Sequence, residues 1–272
     1  MLSGAIKAVV FDWAGTMVDF GCMAPVEALV AAFAGEGVAI TAAEARADMG
    51  RAKRDHVRAL MAYPRIAAAW ASARGAAPSE ADGDHLFAAL EPLMRAQAAR
   101  CADLIPGAAA LAASLRAEGV KVGSCTGYTR AMMSEVAPRA AAQGYAPEVI
   151  VCAGETPSGR PSPLMLWQAL VTLDAWPASA CVKVDDAEVG VSEGRAAGCW
   201  TIGVAASGNG VGRSLADYQA LPPGERRALT DAAARSLSAA GADYVVDTVA
   251  DLAPVLDEIA ARIRAGERPA VG

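Results

Sequence analysis

Five short apolar runs recur along this chain, at 6–11, 120–125, 148–152, 181–185 and 200–204, with 243–246 as an edge strand. Helical periodicity fills the stretches 107–117, 129–143, 163–173, 189–197 and 249–265. Short runs without polar alternation suit strands covered on both faces. Their regular exchange with helices predicts an α/β fold, a doubly wound parallel sheet of the Rossmann-like kind. Ligands of such sheets bind beyond the carboxyl ends of the strands. Asp12, Thr126 and Asp186 each stand at or just past such an end.

Between the first and second runs the pattern changes to helix alone, at 25–34, 42–49, 51–62, 65–73 and 80–100. Thr41 and Glu44 form a capping box, and Pro25 suits a first helical turn. The expected organisation is a core from 1–20 and 104–272, with a helical insertion at 21–103 that resembles a cap domain, one that would close over the strand ends and exclude water. With 54% hydrophobic and 20% charged residues, a 272-residue chain has ample material for a packed interior. A net charge of −6 argues against a broad nucleic-acid surface, so any anion must be met by individual basic residues. Apolar runs this short make no membrane span, and the first of them leads into Asp12 instead of a cleavage site, so a cytoplasmic protein is expected. None of the six cysteines forms a Cys-x-x-Cys pair, and the two histidines, His56 and His85, offer zinc few ligands. Mg²⁺ held by carboxylates is the metal that the composition favours.

Asp12 ends the first run as a nucleophile or as a simple turn cap, and the residue two places on is Ala14. Thr126, before Gly127, can hold an anionic oxygen or cap the following helix, a task that Thr129 serves equally. Arg160 lies in Gly159-Arg160-Pro161, where the proline restrains the backbone of a residue that would otherwise be an ordinary loop cation. Asp185 and Asp186 end the fourth run and offer hard oxygens for a cation. Of the 24 basic residues only four are lysines, which singles out Lys53. Met49, Lys53, His56 and Leu60 share a helical face, so Lys53 is either an exposed helix lysine or an amine neutralised by burial near other positive charge. The glycine-rich stretch 208–212 lacks dinucleotide-fingerprint spacing, and no phosphate-binding loop of the Gly-Lys-Ser/Thr type occurs.

Asp12, Thr126, Arg160 and Asp186, in that order and in those settings, resemble the four motifs of the haloacid dehalogenase superfamily. The resemblance implies attack by Asp12 on phosphorus, while Ala14 replaces the acid that protonates the leaving oxygen in the superfamily's phosphatases. Gly190 stands where many members carry a further Asp, leaving Asp185 or Glu188 to supply that oxygen. A finer resemblance, over nearly the whole chain, is to the phosphonatase family. Its marks here are the segment 11–22 with Ala14 and Cys22, Met49-Gly50-x-x-Lys53-x-x-His56, Thr126-Gly127-Tyr128-Thr129-Arg130 and Gly159-Arg160-Pro161. This implies hydrolysis of the phosphorus–carbon bond of phosphonoacetaldehyde, a small-molecule phosphonate, through an imine on Lys53. Mg²⁺ would be held by Asp12, Asp186 and the Ala14 carbonyl, and the phosphoryl oxygens by Thr126 and Arg160. His56, with Tyr128, would handle protons, and Cys22, Met49, Gly50 and Gly127 would shape the pocket. A homodimer through the cap helices is implied too, with the apolar stretch 66–70 contributing. The rivals are a phosphomonoester hydrolase, which Ala14 opposes, and a silent Mg²⁺/phosphate-binding regulatory protein, in which Lys53 would have no purpose.

Overall fold

A computed structural model describes Leu2 and residues 4–270. Its centre is one six-stranded sheet, built from β1 (Ala8–Phe11), β2 (Lys121–Thr126), β3 (Val149–Cys152), β4 (Cys181–Asp185), β5 (Trp200–Val204) and β6 (Tyr244–Val246). All neighbours are parallel, in the order β3-β2-β1-β4-β5-β6. β1 is central and wholly buried because both its faces are covered. Val9 and Phe11 join one apolar cluster, and Ala8 and Val10 join the other. That explains why its sequence is continuously apolar rather than alternating. The 243–246 run does form an edge strand, as expected.

Between β1 and α6 (Ala108–Ala117) the chain forms α1 (Met23–Gly35), α2 (Ala42–Arg46), α3 (Lys53–Ala62), α4 (Pro64–Arg74) and α5 (Glu80–Arg100). The Thr41–Glu44 capping box is present at the start of α2. α5 packs against α1 and α3 and reaches α7 (Arg130–Ala142), so the helical insertion rests on the core as well as on itself. Ile66 and Trp70 are buried within the chain, a correction to the expectation that this stretch would meet a partner. The remaining helices are α8 (Leu164–Thr172), α9 (Glu188–Ala197), α10 (Leu215–Ala220), α11 (Pro223–Ala239) and α12 (Leu252–Arg264). Among the described residues, no helix is long and apolar enough to cross a membrane.

Candidate active site

β1 delivers Asp12 to the carboxyl edge of the sheet, where its amide still donates to the Val184 carbonyl at 3.0 Å. The turn that follows passes close under β4. Gly15 has φ +84°, and a Cβ there would stand 2.4 Å from Asp186 Oδ2, so only glycine allows the approach. Carboxylate oxygens of Asp12, Asp185 and Asp186 thereby lie within 4.8 Å of one another, all buried. Burial and the Asp185 charge raise Asp12 to about 6, despite Arg160 and Lys183. Burial, with Asp12 and Asp185 as like-charged neighbours, pushes Asp186 well above the usual carboxylate range. Three crowded acids that repel one another are relieved by a bound cation, and oxygen donors suit a hard one. Residue 14 presents only a methyl group, and its carbonyl accepts the Cys22 thiol at 3.0 Å. Burial first, then Asp186, Asp19 and Asp12, keep that thiol protonated. Its single proton can turn instead to Asp186 Oδ2, 3.3 Å away.

Two buried cations offset the acids. Arg160 donates from Nη1 to Asp12 at 2.8 Å, from Nε to Glu193 at 2.9 Å and from Nη2 to the Cys125 carbonyl at 2.8 Å. Lys183 Nζ lies 3.0 Å from Asp185 and 3.4 Å from Glu193. Although burial works against its charge, Arg160 and Lys183 hold Asp185 below the usual carboxylate range. Each of the three nitrogens of the Arg160 fork thus has an acceptor before any ligand arrives, which preorganises the cation. Gly190 makes room for this network, because a Cβ there would fall 2.0 Å from the Asp185 carboxylate. Asp185 therefore fills the space over Gly190. Glu188, the other candidate, is exposed and accepts from Ser236 at the surface, which corrects its placement near the metal.

The cap supplies the opposite wall. Lys53 is buried at the start of α3, with Nζ 3.6 Å from Met49 Sδ and 5.7 Å from the centre of the Tyr128 ring. Burial lowers its pKa to about 8, with Arg160 adding to the effect and Cys22 and Asp12 opposing it. His56, one turn behind, is fully buried, and among the described residues neither ring nitrogen has a hydrogen-bond partner of good geometry. Burial and then Lys53 lower it to about 3, although the Ala47 and Ala45 carbonyls pull the other way. Tyr128 is likewise buried without a partner for its hydroxyl among the described residues.

Core residues Asp12, Ala14, Thr126, Gly127, Tyr128, Arg160 and Asp186 line one cavity with Cys22, Met49, Gly50 and Lys53 of the insertion. The enclosed space is only about 20 Å³, little more than one water needs. Thr126 is free of capping duty, since Thr129 caps α7 and Thr126 Oγ1 accepts from the Tyr128 amide at 3.1 Å. Sequence reasoning passed over Lys183 and Glu193. A lysine inside a strand buried on both faces must have partners, and that signal was available.

The profile of the haloacid dehalogenase-like hydrolases matches residues 6–198. The phosphonoacetaldehyde hydrolase of Paraburkholderia phytofirmans is 51% identical over 97% of this chain and 99% of its own length. That of Klebsiella pneumoniae is 45% identical, with the same coverage of 97% and 99%. A crystal structure of a phosphonoacetaldehyde hydrolase-like protein from Oleispira antarctica superposes with a TM-score of 0.96 at 41% identity, over 98% of this chain and 96% of that one. Likeness of this extent runs through the insertion as well as the sheet, so this chain belongs to the phosphonoacetaldehyde hydrolase family, within the haloacid dehalogenase-like hydrolases.

Proposed function

We propose that the chain hydrolyses the phosphorus–carbon bond of phosphonoacetaldehyde to acetaldehyde and phosphate, with 1–20 and 104–272 as catalytic core and 21–103 as cap. The observation that carries this reading is Lys53, a buried amine with a lowered pKa in one cavity with Asp12, beside a residue 14 that carries no acid. A carbanion is a poor leaving group, and an acid at position 14 would not cure that. Neutral Lys53 adds to the aldehyde carbon, and the carbinolamine takes up one proton from solvent as water leaves, giving a protonated imine. An Asp12 oxygen then attacks phosphorus, the phosphorus–carbon bond breaks, and its electron pair moves into the imine to give an enamine. Protonation of the enamine carbon and hydrolysis of the imine release acetaldehyde, and water hydrolyses the aspartyl phosphate. Thr126 and Arg160 hold the phosphoryl oxygens, where charge collects during transfer. His56, kept neutral by burial and by Lys53, and Tyr128, whose ring lies 5.7 Å from the amine, pass protons in this reading. Cys22, Met49, Gly50 and Gly127 close the pocket around the aldehyde.

Asp12, Asp186 and the Ala14 carbonyl would hold Mg²⁺, with Asp185 beside them. Bound there, it would neutralise charge on the acids and the phosphonate. A cytoplasmic location, where the six unpaired cysteines stay reduced, and a homodimer through the cap helices complete the reading. The test is incubation with phosphonoacetaldehyde and borohydride in Mg²⁺, followed by peptide mapping. A two-carbon adduct on Lys53 is expected, with acetaldehyde and phosphate in unreduced controls. Lys53→Arg should lose turnover by several orders of magnitude, since a guanidinium cannot form the imine. Retained turnover in that variant overturns the mechanism.

A further inference from the structure

The glycine-rich stretch 208–212, which matches no nucleotide fingerprint, is where cap and core are tied together. Arg46, the last residue of α2, reaches across to it. Its Nη1 donates to the Gly21 carbonyl at 2.7 Å and to Asn209 Oδ1 at 3.2 Å, and its Nη2 donates to the Gly212 carbonyl at 3.1 Å. Asn209 returns the bond, its Nδ2 donating to the Arg46 carbonyl at 3.2 Å. Arg46 makes no ion pair among the described residues, so neutral acceptors in fixed positions hold it. Gly212 accommodates the guanidinium, since a Cβ there would stand 2.6 Å from Arg46 Nε. On its other side Asn209 faces the site. Its amide donates to Asp186 Oδ2 at 2.7 Å, whereas Thr16 and Cys22 reach Asp186 only at 3.3 Å.

We infer that Arg46 and Asn209 form a latch through which the seated cap positions Asp186. Both are positioning residues, and the inference rests on the function proposed above. When the cap lifts, Arg46 leaves with it and the Asn209 side chain loses both of its partners. A segment with three glycines in five residues then has little to fix it. The shortest bond on Asp186 loosens with that segment, so closure of the cap and order at the carboxylate trio rise and fall together.

Asn209→Ala separates this role from ordinary packing, because it keeps the amide on Asp186 and removes only the side-chain bonds to Arg46. Mg²⁺ is titrated calorimetrically into the substrate-free full chain, for the parent, Arg46→Ala, Asn209→Ala and the double variant. Each single variant is expected to lose about tenfold in Mg²⁺ affinity. The double variant should lose no more than the worse single one, since the two side chains act as one unit. Should Arg46→Ala fail to fold, Asn209→Ala alone decides. Parent-like Mg²⁺ affinity in Asn209→Ala overturns the latch, with or without a lowered melting temperature, as do losses that simply multiply in the double variant. Phosphonate turnover by the parent is followed in parallel. If the parent is inactive, the proposed function fails, while the Mg²⁺ titrations still decide the latch.

Discussion

In the proposed mechanism the chemistry turns on one atom, Lys53 Nζ. An ammonium has no lone pair, so imine formation needs the neutral amine, and burial brings the pKa down to about 8. The neutral fraction therefore rises about tenfold between pH 7 and pH 9. Single-turnover trapping of the Lys53 adduct is expected to accelerate by that factor and to level off above the pKa. A rate that is flat over the range would mean that the amine is not the titrating partner. The site was largely legible at this scale. A carboxylate or threonine that ends an apolar run is conspicuous, as are Ala14 in place of an acid and one of only four lysines on a buried helical face. What could not be read is pairing across distance. Glu193 looks like any helix glutamate until α9 lays it against Arg160 and Lys183. Glu188 looks like a ligand until the same helix turns it outward to Ser236. Asn209 sits in a loop whose partners lie more than 150 residues away on one side.

Elements, more than single residues, decide how the cap is launched. α1 begins without a side-chain cap from Cys22, and Asp19 takes over, accepting the Met23 amide at 2.9 Å and the Ala24 amide at 2.9 Å. Burial outweighs these bonds and raises Asp19 to about 7, above its value in an unfolded chain. The folded protein thus holds this proton more tightly than the unfolded one. The stability Asp19 contributes is fully present at low pH and is lost as pH rises through about 7. Asp19→Ala should cost about 1–2 kcal/mol at pH 6, by analogy with a lost helix cap. The gap between parent and variant should narrow at pH 8, read by denaturant melts at both values. A gap that widens would contradict the raised pKa. Helix limits were the less legible part of the fold. Periodicity predicts helix over 42–49, yet α2 stops at Arg46. The chain unwinds there through Asp48 at φ 59° and Gly50 at φ 90°, which carries Met49 and Gly50 into the cavity. α10 and α11 went unread because so little of them faces the core. α10 has no buried residue, and α11 buries only Thr230, Ala233 and Leu237, too thin a stripe for the pattern to register.

Across the whole molecule, the seam between cap and core controls access. The cavity of about 20 Å³ is small for a phosphonate, so the cap is expected to open for binding and again for product release. Excluding water also keeps the Lys53 amine desolvated and strengthens the charges arrayed on the phosphoryl group. The seam depends on Gly127, at the end of β2. A Cβ there would stand 2.7 Å from the Arg51 carbonyl and 3.1 Å from that of Gly50, both on the cap backbone. Gly127 lies outside the left-handed region, so alanine suits its backbone and even restricts the unfolded chain. The fold should therefore keep its stability within about 1 kcal/mol in Gly127→Ala. Closure, by contrast, should be obstructed by backbone that cannot rotate aside. The expected result is a loss of at least about tenfold in kcat/KM, by analogy with other small displacements of positioned groups. Proteolysis at the proposed cap boundaries, near residues 21 and 103, should also be faster. If Gly127→Ala turns over like the parent with an unchanged cleavage pattern, the reaction does not require the cap to seat on this backbone. Catalysis would then have to proceed with the cavity open to water.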